Sequence, residues 1–110
     1  DTFERVAVQN GAQAKITVKR AYDPYVLAED APVVALARRA AAGIGLNPAL
    51  EATGGGSDAN FFNAYGVPSA VLAVGMAKVH TTEEYIRVDD LVKTAELVAA
   101  IIRTAAETKK

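Results

Sequence analysis

The sequence predicts an α/β fold, a mostly parallel sheet with flanking helices, and three observations carry that expectation. Strand-like and helix-like segments alternate along the chain. The run Ser69-Ala70-Val71-Leu72-Ala73-Val74 holds no charge, as suits a strand covered on both faces. A long helix with a single apolar stripe follows it.

Thr2 to Gln13 reads as the tail of a helix that ends at Asn10-Gly11, where glycine supplies a left-handed cap. Lys15-Ile16-Thr17-Val18-Lys19 alternates polar and apolar, the pattern of a strand with one wet face. Asp23-Pro24 breaks it. From Asp30 to Gly43 the pattern is helical: Asp30 is the expected N-cap, Pro32 lies in the first turn, and Val33, Leu36, Ala37, Ala40 and Ile44 recur at three and four. Gly43 and Gly45 end it. Leu50 to Thr53 reads as a short strand, and Ala59 to Tyr65 as a short helix capped by Gly66. Pro68 stands at the entry of the buried strand, where a missing N–H costs least. Asp89-Asp90 is expected to cap the final helix, with Leu91, Ala95, Val98 and Ile102 buried and Lys93 and Glu96 wet. Glu107 to Lys110 is expected to fray.

The strand around Ile16 is patterned for a half-exposed sheet and that around Val71 for a buried one. The two halves are expected to belong to different layers or domains, with the boundary between Tyr22 and Asp30. A length of 110 residues otherwise suits one domain with a modest core.

Composition excludes several functions. Hydrophobic residues make up 51% and charged residues 23%, an ordinary globular balance. Lys and Arg total 12 against 13 Asp and Glu, so there is no basic footprint for a nucleic acid. Without cysteine there is no disulfide, thiolate zinc site or thiol nucleophile. No uncharged apolar run approaches the roughly 18 residues of a membrane span. The opening Asp1-Thr2-Phe3-Glu4 has neither an initiating Met nor a signal-peptide pattern, so the chain is expected to be cut from a longer, cytoplasmic protein.

Two places could carry chemistry. In Gly54-Gly55-Gly56-Ser57-Asp58-Ala59-Asn60 the glycines allow a sharp turn and close backbone approach to a ligand, and the helix start offers free N–H groups to an anion. A plain hinge with Ser57 or Asp58 as N-cap satisfies the same residues. The sole histidine, His80, lies just beyond the carboxyl end of the buried strand, the rim where open parallel sheets bind ligands. It suits metal ligation, with Glu83 or Glu84 orienting its second nitrogen, or a merely structural role. Asp89 and Asp90 stand where capping explains them better than metal does.

The order Gly54-Gly55-Ser57-Asp58-Ala59-Asn60, then Gly66-Val67-Pro68, then Gly75, then His80 with Glu84, then a closing helix resembles the C-terminal end of the peptidase T-like aminopeptidases. These belong to the co-catalytic zinc exopeptidases that include carboxypeptidase G and the aminoacylases. The resemblance covers nearly the whole chain. It implies that residues 1–26 are the end of an α+β lid (dimerisation) domain and that residues 27–110 are the C-terminal part of a catalytic domain. His80 matches the family's last zinc ligand, Glu84 the acidic residue that supports it, and Gly55, Gly56, Ser57 and Asp58 the loop beside the substrate. The family's other ligands and its general-base Glu lie upstream, so no catalytic residue is expected within this chain.

The implied parent is a homodimeric metallo-aminopeptidase acting on short peptides, with two zinc ions per complete active site. The chain alone is expected to be inactive, with at most one weak zinc site. Two other readings stand beside it: a non-catalytic α/β module holding an anion at the glycine loop, and a dimerisation scaffold with an exposed strand edge.

Overall fold

A computed structural model describes residues 1–108. Four helices form: α1 (Thr2–Gln9), α2 (Pro32–Gly43), α3 (Asp58–Ala64) and α4 (Val88–Glu107). The Asp1 side chain caps α1 through the Phe3 N–H at 2.7 Å. The C-terminal ends of α1, α2 and α3 share one construction. After α1, the Gly11 and Ala12 N–H groups return to the Val8 and Ala7 carbonyls; Gly45 with Leu46 and Gly66 with Val67 repeat the pattern after α2 and α3. This is the paired bonding of a Schellman motif, which satisfies carbonyls the helix leaves orphaned. The expected caps at Gly11, Gly45 and Gly66 are therefore found, while Gly43 is the last helical residue.

Two helix starts differ from expectation. The N-cap of α2 is Ala31, not Asp30, and Pro32 opens the helix with its φ already fixed and no N–H to satisfy. The N-cap of α4 is Arg87, so Asp89 and Asp90 occupy the first turn. There they interact favourably with the positive end of the helix rather than capping it. Glu107 is still helical, and Lys109 and Lys110 lie outside the described residues.

The expected sheet is not formed. Among the described residues no strand appears over Lys15–Lys19, Leu50–Thr53 or Ser69–Val74. The one β-type pairing among the described residues is an antiparallel bridge between Ala77 and Tyr85. A strand exists only when a neighbour about 4.8 Å away takes its N–H and C=O groups, and no backbone bond of that kind reaches residues 69–74. Val71, at 57% exposure, and Leu72, at 38%, face solvent, which overturns the expectation of a strand covered on both faces.

α4 packs on α2 instead of on a sheet. Ala40 and Ala41 of α2 and Ala100 of α4 are buried, and small side chains there let the helices approach. Arg39 donates to the Thr108 hydroxyl at 2.9 Å, tying the end of α4 to the middle of α2. The expected stripe of α4 is corrected as well. Leu91, Ala95, Val98 and Ile102 are exposed, and the inward face runs through Thr94, Leu97, Ala100, Ile101 and Thr104. Both stripes are largely apolar and lie about 100° apart on the helix, so periodicity alone does not say which one is covered. The radius of gyration is 20.1 Å, against about 13 Å for a compact chain of this length.

Candidate functional site

The glycine loop takes its shape from hydrogen bonds at both ends. The Gly55 N–H donates to the Thr53 hydroxyl at 3.2 Å. Ser57, extended at φ −150° and ψ 172°, is the N-cap of α3, and its N–H donates to Asn60 Oδ1 at 3.0 Å, the returning arm of a capping box. Asp58 is the first residue of α3 and is exposed. Between them, Gly56 lies against the Tyr22 hydroxyl so closely that a Cβ would overlap it. Here close approach requires glycine. The Tyr22 ring meets Phe61 edge to face at a centroid separation of 6.2 Å.

Two asparagines on α3, neither of them a candidate from sequence, fix the surrounding chain. Asn60 is buried, and its Nδ2 donates to the Asp23 carbonyl at 2.8 Å. Asn63 donates to the Ala59 and Ser69 carbonyls and accepts from the Ser69 N–H at 3.1 Å. The spacing Ser57-x-x-Asn60 is a weak signal for the first; nothing local marks the second, because its partner lies beyond the helix.

His80 sits in a tight turn closed by the Ala77–Tyr85 bridge. Its φ is +65° and that of Lys78 is +52°, left-handed values that cost about 1–3 kcal/mol each and persist only where the surroundings enforce them. The enforcement is visible. The Thr81 hydroxyl donates to the Lys78 carbonyl at 2.7 Å, and Lys78 Nζ pairs with Glu83 at 2.6 Å. Glu84 Oε2 accepts from the His80 backbone N–H at 2.8 Å. Glu84 therefore meets His80 at the main chain, and the exposed imidazole is left to solvent. Among the described residues no three His, Cys, Asp or Glu gather closely enough to hold a metal ion. Catalytic zinc takes three protein ligands, so these residues do not by themselves make a zinc site.

No hydrogen bond or ion pair among the described residues joins the His80 turn to the glycine loop. A shallow cavity of about 150 Å³ between Leu46, Val74, Gly75, Asp90, Lys93 and Leu97 touches neither of them.

Comparison with known proteins supplies what this geometry lacks. A family model described as "Peptidase family M20/M25/M40" matches residues 4–104. The uncharacterized protein YqjE of Bacillus subtilis (strain 168) is 41% identical over 105 residues, which is 96% of this chain and 28% of that protein. Peptidase T of Geobacillus thermodenitrificans is 32% identical over 71 residues, 64% of this chain and 17% of that protein. Among solved structures, aminopeptidase PepT from Bacillus cereus ATCC 10987 matches with a TM-score of 0.77 and 46% identity, over 94% of this chain and 28% of that one. A tripeptidase from Staphylococcus aureus subsp. aureus Mu50 matches with a TM-score of 0.81 and 35% identity, over 96% of this chain and 28% of that one.

Proposed function

The chain belongs to peptidase family M20/M25/M40, and from that premise we propose that it is the C-terminal part of a zinc-dependent aminopeptidase that removes residues from the N-terminus of short peptides. It spans 28% of the length of the solved peptidases it resembles, so the activity belongs to a complete protein. In such a protein residues 69–74 would pair into a mostly parallel sheet, and residues 1–26 would close a lid domain. A cytoplasmic setting goes with this reading, since a cysteine-free chain draws nothing from an oxidising compartment.

The observation that carries the proposal is the His80 turn. A non-glycine residue held at positive φ, with its imidazole free and its main chain secured by Glu84, is arranged to present that ring to something outside the turn. His80 is the one zinc ligand this chain would contribute, and bound zinc would supply a Lewis acid and an acidified water. Glu84 holds the turn that carries the ligand. The loop of Gly55, Gly56, Ser57 and Asp58 lines the substrate side. The rival anion-binding module is weakened by Asn60, which already takes the Ser57 N–H.

Titration calorimetry with zinc tests the reading. The chain should bind zinc weakly, and His80→Ala should abolish the binding, since too few ligands are present for a tight site. Tripeptides should not be hydrolysed. A tight site that survives His80→Ala would overturn the ligand assignment, and measurable hydrolysis would overturn the assignment of the general base to another part of the protein.

A further inference from the structure

We propose that Asn60 is a positioning residue that couples the Tyr22–Asp23 segment to the glycine loop, so that the two move as one unit. The inference rests on the reading of Gly55–Asp58 as the substrate-side loop.

Asn60 is the one buried polar residue among those described, at 7% exposure. Its carboxamide serves two backbone groups of opposite kind, one three residues away along the chain and one 37 residues away. Oδ1 accepts from the Ser57 N–H inside the loop, and Nδ2 donates to the Asp23 carbonyl. Only a group with an acceptor at one end and a donor at the other satisfies both. The Asp23 carbonyl is itself a firm target, because Pro24 restricts the residue before it to extended conformations. Two further contacts act at the same junction: the Tyr22 hydroxyl rests on Gly56, and the Tyr22 ring packs edge-on against Phe61, next to Asn60 in α3. All three contacts join residues 22–23 to residues 56–61. Displacement of the first segment must therefore pull on the loop, and a ligand that orders the loop must order the segment.

Asp58 is the adjacent carboxylate on α3, and the Asp23 side chain is paired with Arg20. An Asn60→Asp variant turns the coupling into a pH-dependent one. The ionised carboxylate accepts from Ser57 but repels the Asp23 carbonyl, whereas the protonated acid regains a donor. Burial and the adjacent Asp58 favour the protonated acid, whereas the Ser57 N–H and the N-terminal end of α3 favour the carboxylate, so the ionised variant near pH 8 is the state that tests the coupling.

NMR on the 110-residue chain reads the outcome through the Tyr22–Phe61 ring contact and exchange of the Ser57 amide. The unaltered chain should keep the contact at about pH 8, the condition used for both variants. Asn60→Leu should lose it throughout, with Ser57 exchange roughly tenfold faster. Asn60→Asp should lose it at about pH 8, where the carboxylate cannot donate to the Asp23 carbonyl. Circular dichroism of the α2–α4 pair should be unchanged in both variants, separating a local latch from general unfolding. Retention of the ring contact in Asn60→Leu, or in Asn60→Asp at about pH 8, would overturn the proposal. These readouts do not involve zinc, so failure of the peptidase reading at His80 is scored separately.

Discussion

At the scale of single residues, side-chain amides do work that sequence pattern assigns to sheets. Asn63 holds the first residue of the Ser69–Val74 run from both sides, taking its N–H and giving to its carbonyl. Removing one partner of a part-buried hydrogen bond costs about 1–3 kcal/mol. Asn63→Ala should accordingly destabilise this junction by that amount, measured as faster amide exchange at Ser69; unchanged exchange would show that the clip is idle. Gly75 is a second sensitive position. Its φ is +83°, and a Cβ would lie 2.8 Å from the Asp90 Cβ in the first turn of α4. Gly75→Ala should lower stability by at least about 1 kcal/mol in denaturant unfolding, from left-handed strain plus displacement of α4. Of the candidate site, Gly56, Ser57 and His80 were legible because glycines, caps and a lone imidazole are local signals. Asn60 and Asn63 were not, because their roles depend on where Asp23 and Ser69 arrive in space.

At the scale of elements, helix type and C-terminal ends were readable and covered faces were not. The spacing Asn10-Gly11, Ile44-Gly45 and Tyr65-Gly66 marks three helix ends because the bonds that close them lie within five residues. α4 is different. Its outer stripe through Leu91, Val98 and Ile102 is as apolar as the stripe against α2, and one helix cannot report which neighbour it meets. The two faces predict opposite mutational costs. Ala100→Leu should overpack the contact with α2 and cost about 1–3 kcal/mol, whereas Val98→Lys should change stability by less than about 0.5 kcal/mol. Chemical denaturation followed by circular dichroism compares them directly. A large penalty at Val98 would mean that this stripe is covered in solution.

At the scale of the whole molecule, the chain carries more apolar surface than its own fold hides. Four of the five buried apolar residues are alanines, while Phe3, Val18, Val26, Tyr65 and Ile102 are all well exposed. With extents of 67 × 36 × 17 Å, the shape leaves the segments around Ile16 and Val71 without β-partners. We therefore expect self-association through those unpaired segments, seen as an apparent mass that rises with concentration in sedimentation. A stable monomer at high concentration would mean that the fold closes on itself, and the division between residues 1–26 and 27–110 would have to be abandoned.

Neighbouring residues settled among themselves four helical segments, three glycine-closed ends and a solitary histidine. The ordered motifs of the sequence also pointed to the peptidase family to which the chain belongs. Only the tertiary structure decided that α4 lies on α2, that Val71 and Leu72 stand open, and that Asn60 ties the loop to Asp23. The physical reason is one of range. Caps and turns are bonds between residues a few positions apart, whereas a strand, a buried stripe or a long-range clip acquires meaning only from a partner elsewhere, and no local pattern names that partner.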